Sequence, residues 1–109
     1  MPVTKIESIE QFNSTINSDK LVLVDFYADW CPPCRGFAPT LEAISDEFVD
    51  VLVVGKVNVD ELGEISAQQG IECIFNASPT FIFYKNGWKV DKVEGVDEES
   101  VRKMILKHK

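Results

Sequence analysis

Cys31 and Cys34 stand with two residues between them in Trp30-Cys31-Pro32-Pro33-Cys34. Cysteines so spaced can open and close a disulfide, or supply two of the four ligands of a structural zinc. The other ligands available to a zinc are Cys73 and His108, the latter one residue from the end of the sequence, where a helix tends to fray. The redox reading is therefore preferred and no metal is expected. A third reading, two unreactive core cysteines, leaves the crowding of two prolines and a tryptophan at one spot unexplained.

The redox reading has a specific physical basis. An apolar run, residues 21–28, ends abruptly at the pair, and a segment with helical spacing follows. A buried strand thus delivers the dithiol to the first turn of a helix. There the backbone N–H groups lack intrahelical partners and the helix dipole is positive. With Cys31 as N-cap, its thiolate is favoured and its pKa is expected below that of a free cysteine. Pro32 suits the first helical position because the N–H it lacks has no helical partner there. Pro33 lacks one too, so the Cys34 amide is the donor left to face the sulfur. Arg35 adds a positive charge nearby. Pro33 also biases Pro32 away from helical angles, which predicts a helix that starts one residue late.

The rest of the chain supplies the frame. Residues 3–6 can form a short edge strand, and Ser8 can cap a helix running to about residue 17 with Ile9, Phe12 and Ile16 inward. Residues 21–28 are apolar on both faces, as befits a central strand covered on both sides. The helix after the cysteines carries Phe37, Leu41, Ile44 and Phe48 on one face and is expected to kink at Pro39. Residues 51–59 form the next strand, and Asp60 is expected to cap a helix with Leu62 and Ile65 inward and Gly70 at its end. Asn86-Gly87 marks a hairpin between strands at residues 80–84 and 88–93. Asp97 caps a final helix with Val101, Met104 and Ile105 on one face; Asp97-Glu98-Glu99 complements its dipole. Strands and helices alternate before a closing hairpin and helix. That pattern predicts a single α/β domain, residues 1–109, built on a mixed central sheet with helices on both faces.

Two charged residues interrupt buried strands. Asp25 is expected to be a buried acid with a raised pKa beneath the dithiol, unless the strand register leaves it exposed. Lys56 either snorkels outward or pairs with Asp25. Trp30 belongs either to core packing or, as the neighbour of an exposed cysteine, to the surface that meets substrate, the preferred reading. Cys73 reads as a small core residue or as an exposed thiol. Phe75 anchors its loop or extends the contact surface, and His108 reads as solvated.

The segment from Val24 to Cys34 resembles the active-site segment of the thioredoxin family. The resemblance continues through Pro39, the strand Gly55-Lys56-Val57-Asn58-Val59-Asp60, Ser78-Pro79-Thr80-Phe81, the turn Lys85-Asn86-Gly87, and Gly95. It implies the thioredoxin fold. It also implies that Cys31 attacks and Cys34 resolves, that Asp25 with Lys56 manages the Cys34 proton, and that Ser78 and a cis Pro79 hold the substrate chain. Trp30, Pro32, Pro33 and Gly95 complete the expected substrate surface. Two departures stand out. Pro32-Pro33 replaces the family's usual Gly-Pro and resembles the tryparedoxin and nucleoredoxin branch. The segment between Ile71 and Pro79, with Cys73, Ile74 and Phe75, is longer than the family's. Ser78 is also smaller and more polar than the usual apolar residue there, which should loosen the grip on apolar substrates.

The resemblance implies a protein-disulfide reductase acting on disulfide-containing proteins without a tightly bound cofactor. It implies an NADPH-dependent flavin thioredoxin reductase as electron donor. The Pro-Pro pair leaves open a trypanothione-like or glutathione-based one. With the N–H at residue 32 gone, a reducing potential is expected, near or below the roughly −270 mV typical of thioredoxin. The net charge of −7 argues against nucleic acid or an anionic membrane as partner, and no apolar run reaches the length of a membrane span. No signal peptide is read at the start, so a cytoplasmic monomer is expected. Two rival functions use the same features: a disulfide oxidase or isomerase of the secretory pathway, and a redox-independent binding module or holdase.

Overall fold

A computed structural model describes residues 3–71 and 79–109. Five strands form one sheet: β1 (Thr4–Lys5), β2 (Leu21–Tyr27), β3 (Leu52–Asn58), β4 (Thr80–Lys85) and β5 (Trp88–Glu94). Four helices, α1 (Ile9–Ile16), α2 (Pro32–Glu47), α3 (Gly63–Gln68) and α4 (Glu98–His108), connect or follow them. The sheet order is β1-β3-β2-β4-β5. β3 runs parallel to β1 and β2, and β4 antiparallel to β2 and β5. The expected mixed sheet is present, with β2, the strand that leads into the cysteine pair, at its centre.

The period-two alternation of β2 divides the core. Leu21 and Leu23 face a cluster containing Phe37, Leu41 and Ile44 of α2 and Val101 and Ile105 of α4. Val22, Val24 and Phe26 face Phe12 and Ile16 of α1 and Ile65 of α3. Both faces are covered, which is why this strand reads as a continuous apolar run. Asp25 shares the parity of Leu21 and Leu23, so it sits on the α2 face, opposite Lys56 of β3 and Phe81 of β4.

Local chemistry sets the element ends. The Ser8 hydroxyl accepts from the Gln11 amide, and the Asp97 carboxylate accepts from that of Ser100, each worth about 1 kcal/mol against alanine. Asn86 and Gly87 take φ of 54° and 84°, the left-handed pair that a two-residue hairpin turn requires. α2 begins at Pro32 itself, not one residue later. Its first turn is secured by the Arg35 amide donating to the Cys31 carbonyl at 3.2 Å, which outweighs the local bias imposed by Pro33. Pro39 lies inside the same helix.

Other expectations are corrected. Ile9 is exposed, because an eight-residue helix buries only Phe12 and Ile16 on its narrow inner stripe. Asp60 does not cap α3. That helix starts after Leu62 without a side-chain cap, and Asp60 is engaged elsewhere. His108 is not simply solvated: its Nε2 lies 2.9 Å from the Asp91 carboxylate, tying α4 to β5. Among the described residues, no helix is long and apolar enough to cross a membrane.

Phe81 is the hinge between this core and the cysteine pair. It is fully buried, flanks Asp25 across the β2–β4 ladder, and packs its ring 5.2 Å from that of Phe37 on α2. Phe81→Ala is expected to cost about 3–5 kcal/mol by lost transfer energy and cavity formation. Urea unfolding measures it, and a loss below about 1 kcal/mol would show that α2 is not anchored here.

Candidate active site

Cys31 and Cys34 are joined by a disulfide, with Cα atoms 5.3 Å apart. Cys31 is the N-cap of α2, in extended backbone conformation. Pro32 and Pro33 occupy the first two helical positions and have no N–H. The third position is Cys34, whose amide donates to the Cys31 sulfur at 3.2 Å. The two prolines thus remove every competing donor from the first turn and leave one aimed at sulfur. The Cys31 amide in turn donates to the Ala28 carbonyl at 3.2 Å, which fixes the strand-to-helix corner.

Cys31 was expected to be exposed; in the disulfide form it is fully buried, and Cys34 is 6% exposed. The pair packs with Ala28, Tyr27 and Val59 at the corner between β2 and α2. Trp30 beside them is half-exposed at 49%, and its indole N–H donates to the Asp60 carboxylate at 2.9 Å. Asp60 in turn takes its backbone direction from Asn58, whose side-chain carbonyl accepts from the Asp60 amide at 2.9 Å. The Asn58 side-chain amide reaches Asp29 at 3.3 Å, and Arg35 donates to the Asp29 carbonyl. The Asp29-Trp30 corner is therefore tethered to β3 from below and to α2 from above.

Beneath the disulfide lies a cavity of 170 Å³, lined among others by Asp25, Tyr27, Cys34, Arg35 and Lys56. Asp25 is buried, and among the described residues its Oδ1 has no hydrogen-bond partner. Burial pushes its pKa from the ordinary 3.8 to about 7, partly offset by the positive charge of Lys56. The expected register and the expected raised pKa are both found. The expected direct pairing is not. Lys56 is the cross-strand neighbour of Asp25, yet no ion pair joins them among the described residues. Its ammonium lies 5.8 Å from the centre of the Tyr27 ring.

Pro79 is buried, and its carbonyl accepts from the Gly95 amide at 2.9 Å. Gly95 has φ of 88°, and a Cβ there would meet nothing within 4 Å; the backbone angle, not space, calls for glycine. Pro32 is exposed, and Pro33 and Gly95 are half-buried. Ser78, Cys73, Phe75, the whole longer segment of residues 72–78 and the Ser78–Pro79 bond lie outside the described residues. Cys31, Cys34, Asp25 and Lys56 are thus gathered at one end of β2 and β3, and Pro79 and Gly95 are bonded to each other. Tyr27 and Asp60 were missed as site residues. The signal for both was register: residues that end adjacent parallel strands emerge side by side.

The family model described as thioredoxin matches residues 3–107. Thioredoxin of Malassezia sympodialis is 41% identical over 107 residues, covering 97% of this chain and 98% of that protein. Thioredoxin-1 of Schizosaccharomyces pombe is 38% identical, covering 94% and 95%. Among solved structures, the Malassezia sympodialis thioredoxin superposes with a TM-score of 0.87 at 40% identity, covering 99% of this chain and 94% of the other. The thioredoxin of Fasciola hepatica does so with a TM-score of 0.88 at 34% identity, covering 97% and 99%.

The raised Asp25 pKa fixes a pH dependence of stability. Well below the unfolded value of 3.8 the acid is protonated in both folded and unfolded states and costs nothing. As pH rises from 3.8 to about 7 the unfolded chain ionises first, so stability falls. Above that window the oxidised protein carries the full penalty, on the order of 4 kcal/mol. Asp25→Asn is expected to stabilise the oxidised protein by about 2–4 kcal/mol at pH 8 and to flatten the slope across the window. Denaturant titrations at several pH values test this; parallel curves for variant and wild type would refute it.

Proposed function

This chain belongs to the thioredoxin family, and from that premise we propose how its residues carry out the reaction. It is a thiol–disulfide oxidoreductase that reduces protein disulfides through a Cys31/Cys34 cycle. In the reduced enzyme the Cys31 thiolate attacks one sulfur of a substrate disulfide. A mixed disulfide forms and the first substrate thiolate leaves. Cys34 then gives up its proton, and its thiolate attacks the Cys31 sulfur. The second substrate thiolate leaves, and the Cys31–Cys34 disulfide closes. Two electrons have passed from the dithiol to the substrate.

The observation that carries the proposed roles is the Cys34 amide pointing at the Cys31 sulfur from the first turn of α2. It favours negative charge on Cys31 and makes that residue the nucleophile. Asp25, buried below Cys34 and ionising near neutral pH, is suited to take the Cys34 proton. Lys56 tunes that acid. Trp30, Pro32, Pro33 and Gly95 form the face offered to substrate, with Pro79 fixing Gly95 from behind. Ser78 is assigned to the same face on the resemblance of its sequence.

We assign electron supply to an NADPH-dependent thioredoxin reductase and place the monomeric protein in the cytoplasm, where a dithiol is kept reduced. The relatives' shared name supports the first assignment, and the reductive direction supports the second. The acidic surface, at −7 overall, supports protein partners over nucleic acid and membrane. The oxidase and holdase readings have no observation in their favour.

NADPH-coupled insulin reduction with a thioredoxin reductase tests the reading. Wild type should be active. Cys31→Ser should fall to the uncatalysed rate, and Cys34→Ser should accumulate the mixed disulfide, visible by mass spectrometry. Equilibration with glutathione should give a potential near or below roughly −270 mV. A double Cys31→Ser, Cys34→Ser variant with full biological activity, or a potential close to roughly −120 mV, would overturn it.

A further inference from the structure

Lys56 is flanked on its face of the sheet by Lys5, its direct partner on β1, and by two residues of β2. Asp25 is its direct partner in the β2–β3 register, and Tyr27, two residues further along β2, stands on the diagonal. A lysine ammonium beside an unpartnered buried carboxyl oxygen should close on it, since opposite charge in a desolvated site attracts strongly. It does not: the ammonium lies over the Tyr27 ring, 5.8 Å from its centre, within the range of a cation–π contact. Among the described residues Asp25 Oδ1 keeps no hydrogen-bond partner, although all three side chains line the same cavity.

We propose that Tyr27 is a positioning residue for the reaction, whose ring holds the Lys56 ammonium off Asp25 and so keeps the carboxyl beneath Cys34 able to accept a proton. The inference rests on the reading of Asp25 as the acceptor of the Cys34 proton. A lysine fully paired with Asp25 would favour the charged form, leaving a carboxylate too weakly basic to draw a proton from a thiol at neutral pH. A lysine held at the ring lends a positive potential without that bond. Asp25 then stays protonated enough, near neutrality, to act in both directions of the cycle.

The other groups around the cavity are already committed. Arg35 of α2 donates to the Asp29 carbonyl, and the Asp29 carboxylate accepts from Asn58. Glu42 of α2 accepts from the Val3 amide at 3.3 Å. Lys5 of β1, whose charge reaches the Tyr27 hydroxyl, is paired with Glu61 at 3.1 Å. From β4 the neighbour of Asp25 is Phe81, which is apolar. Cys34 completes the wall as half of the disulfide. Burial raises the Asp25 pKa, Lys56 is the cation that offsets it, and Tyr27 is what positions that cation.

The test is carried out on the oxidised full-length protein, so it does not depend on turnover. The Asp25 carboxyl is titrated by carbon-13 NMR in wild type, Tyr27→Phe, Tyr27→Leu and Tyr27→Leu/Lys56→Met. Tyr27→Phe keeps the ring and should leave the midpoint in place. Tyr27→Leu should lower it by about one pH unit or more, and removing the lysine in that background should raise it again. The pH profile of insulin reduction should move with the midpoint. In wild type the Lys56 ε-methylene protons should show an upfield ring-current shift, a readout that needs no variant to fold. An unshifted methylene, a midpoint unmoved by Tyr27→Leu, or a Phe variant that shifts as far as the Leu variant would overturn the inference. A midpoint that behaves as stated with an inactive wild type would instead refute the assigned reaction.

Discussion

The backbone N–H of Cys34 faces the Cys31 sulfur across 3.2 Å, and much of the molecule serves to keep it there. A helix start normally offers several unpaired donors. Here two prolines remove the first two, so the remaining amide and the positive end of a 16-residue helix act on one atom. The arrangement requires a strand that ends at a fixed point, a sharp corner, and a helix that cannot slide. β2 provides the first by lying at the centre of the sheet. The Cys31–Ala28 bond provides the second, and Phe37, Leu41 and Ile44 provide the third by burial against the sheet.

The same strand imposes a cost. A carboxyl on the α2 face of a central strand is taken out of water, and Asp25 is left with an oxygen that has no partner among the described residues. A buried acid at that depth weakens the fold whenever it is charged. On the proposed reading it serves as a proton acceptor under a thiol, where an ionisation near neutral pH is useful and a fully stabilised carboxylate is not. Stability and chemistry are opposed at this residue, and the core around it absorbs the difference.

Much of this was legible in the sequence because it is dictated locally. The both-sided apolar run of residues 21–28, the Ser8 and Asp97 caps and the Asn86-Gly87 turn each depend on neighbours within a few positions. So does the cysteine at the head of α2. The errors concern partners distant in the chain. Asp60 was expected to cap its own helix, but the indole of Trp30, thirty residues away, holds its carboxylate. His108 was expected in solvent, but Asp91 on β5 receives it. Lys56 had a foreseeable neighbour in Asp25, yet the Tyr27 ring competes for it, and only the register of two parallel strands brings the three together. The burial of Cys31 was equally hidden, because its cluster includes Val59, a residue just beyond β3 and far along the chain.

The account therefore stands or falls on how readily one sulfur ionises. The direct measurement is the pH dependence of the rate at which iodoacetamide alkylates Cys31 in the reduced protein, followed by mass spectrometry of the labelled peptide. A midpoint at least about one pH unit below the roughly 8.5 of a free cysteine is predicted, with Cys34 labelled far more slowly. A midpoint equal to that of free cysteine, or Cys34 reacting first, would contradict it.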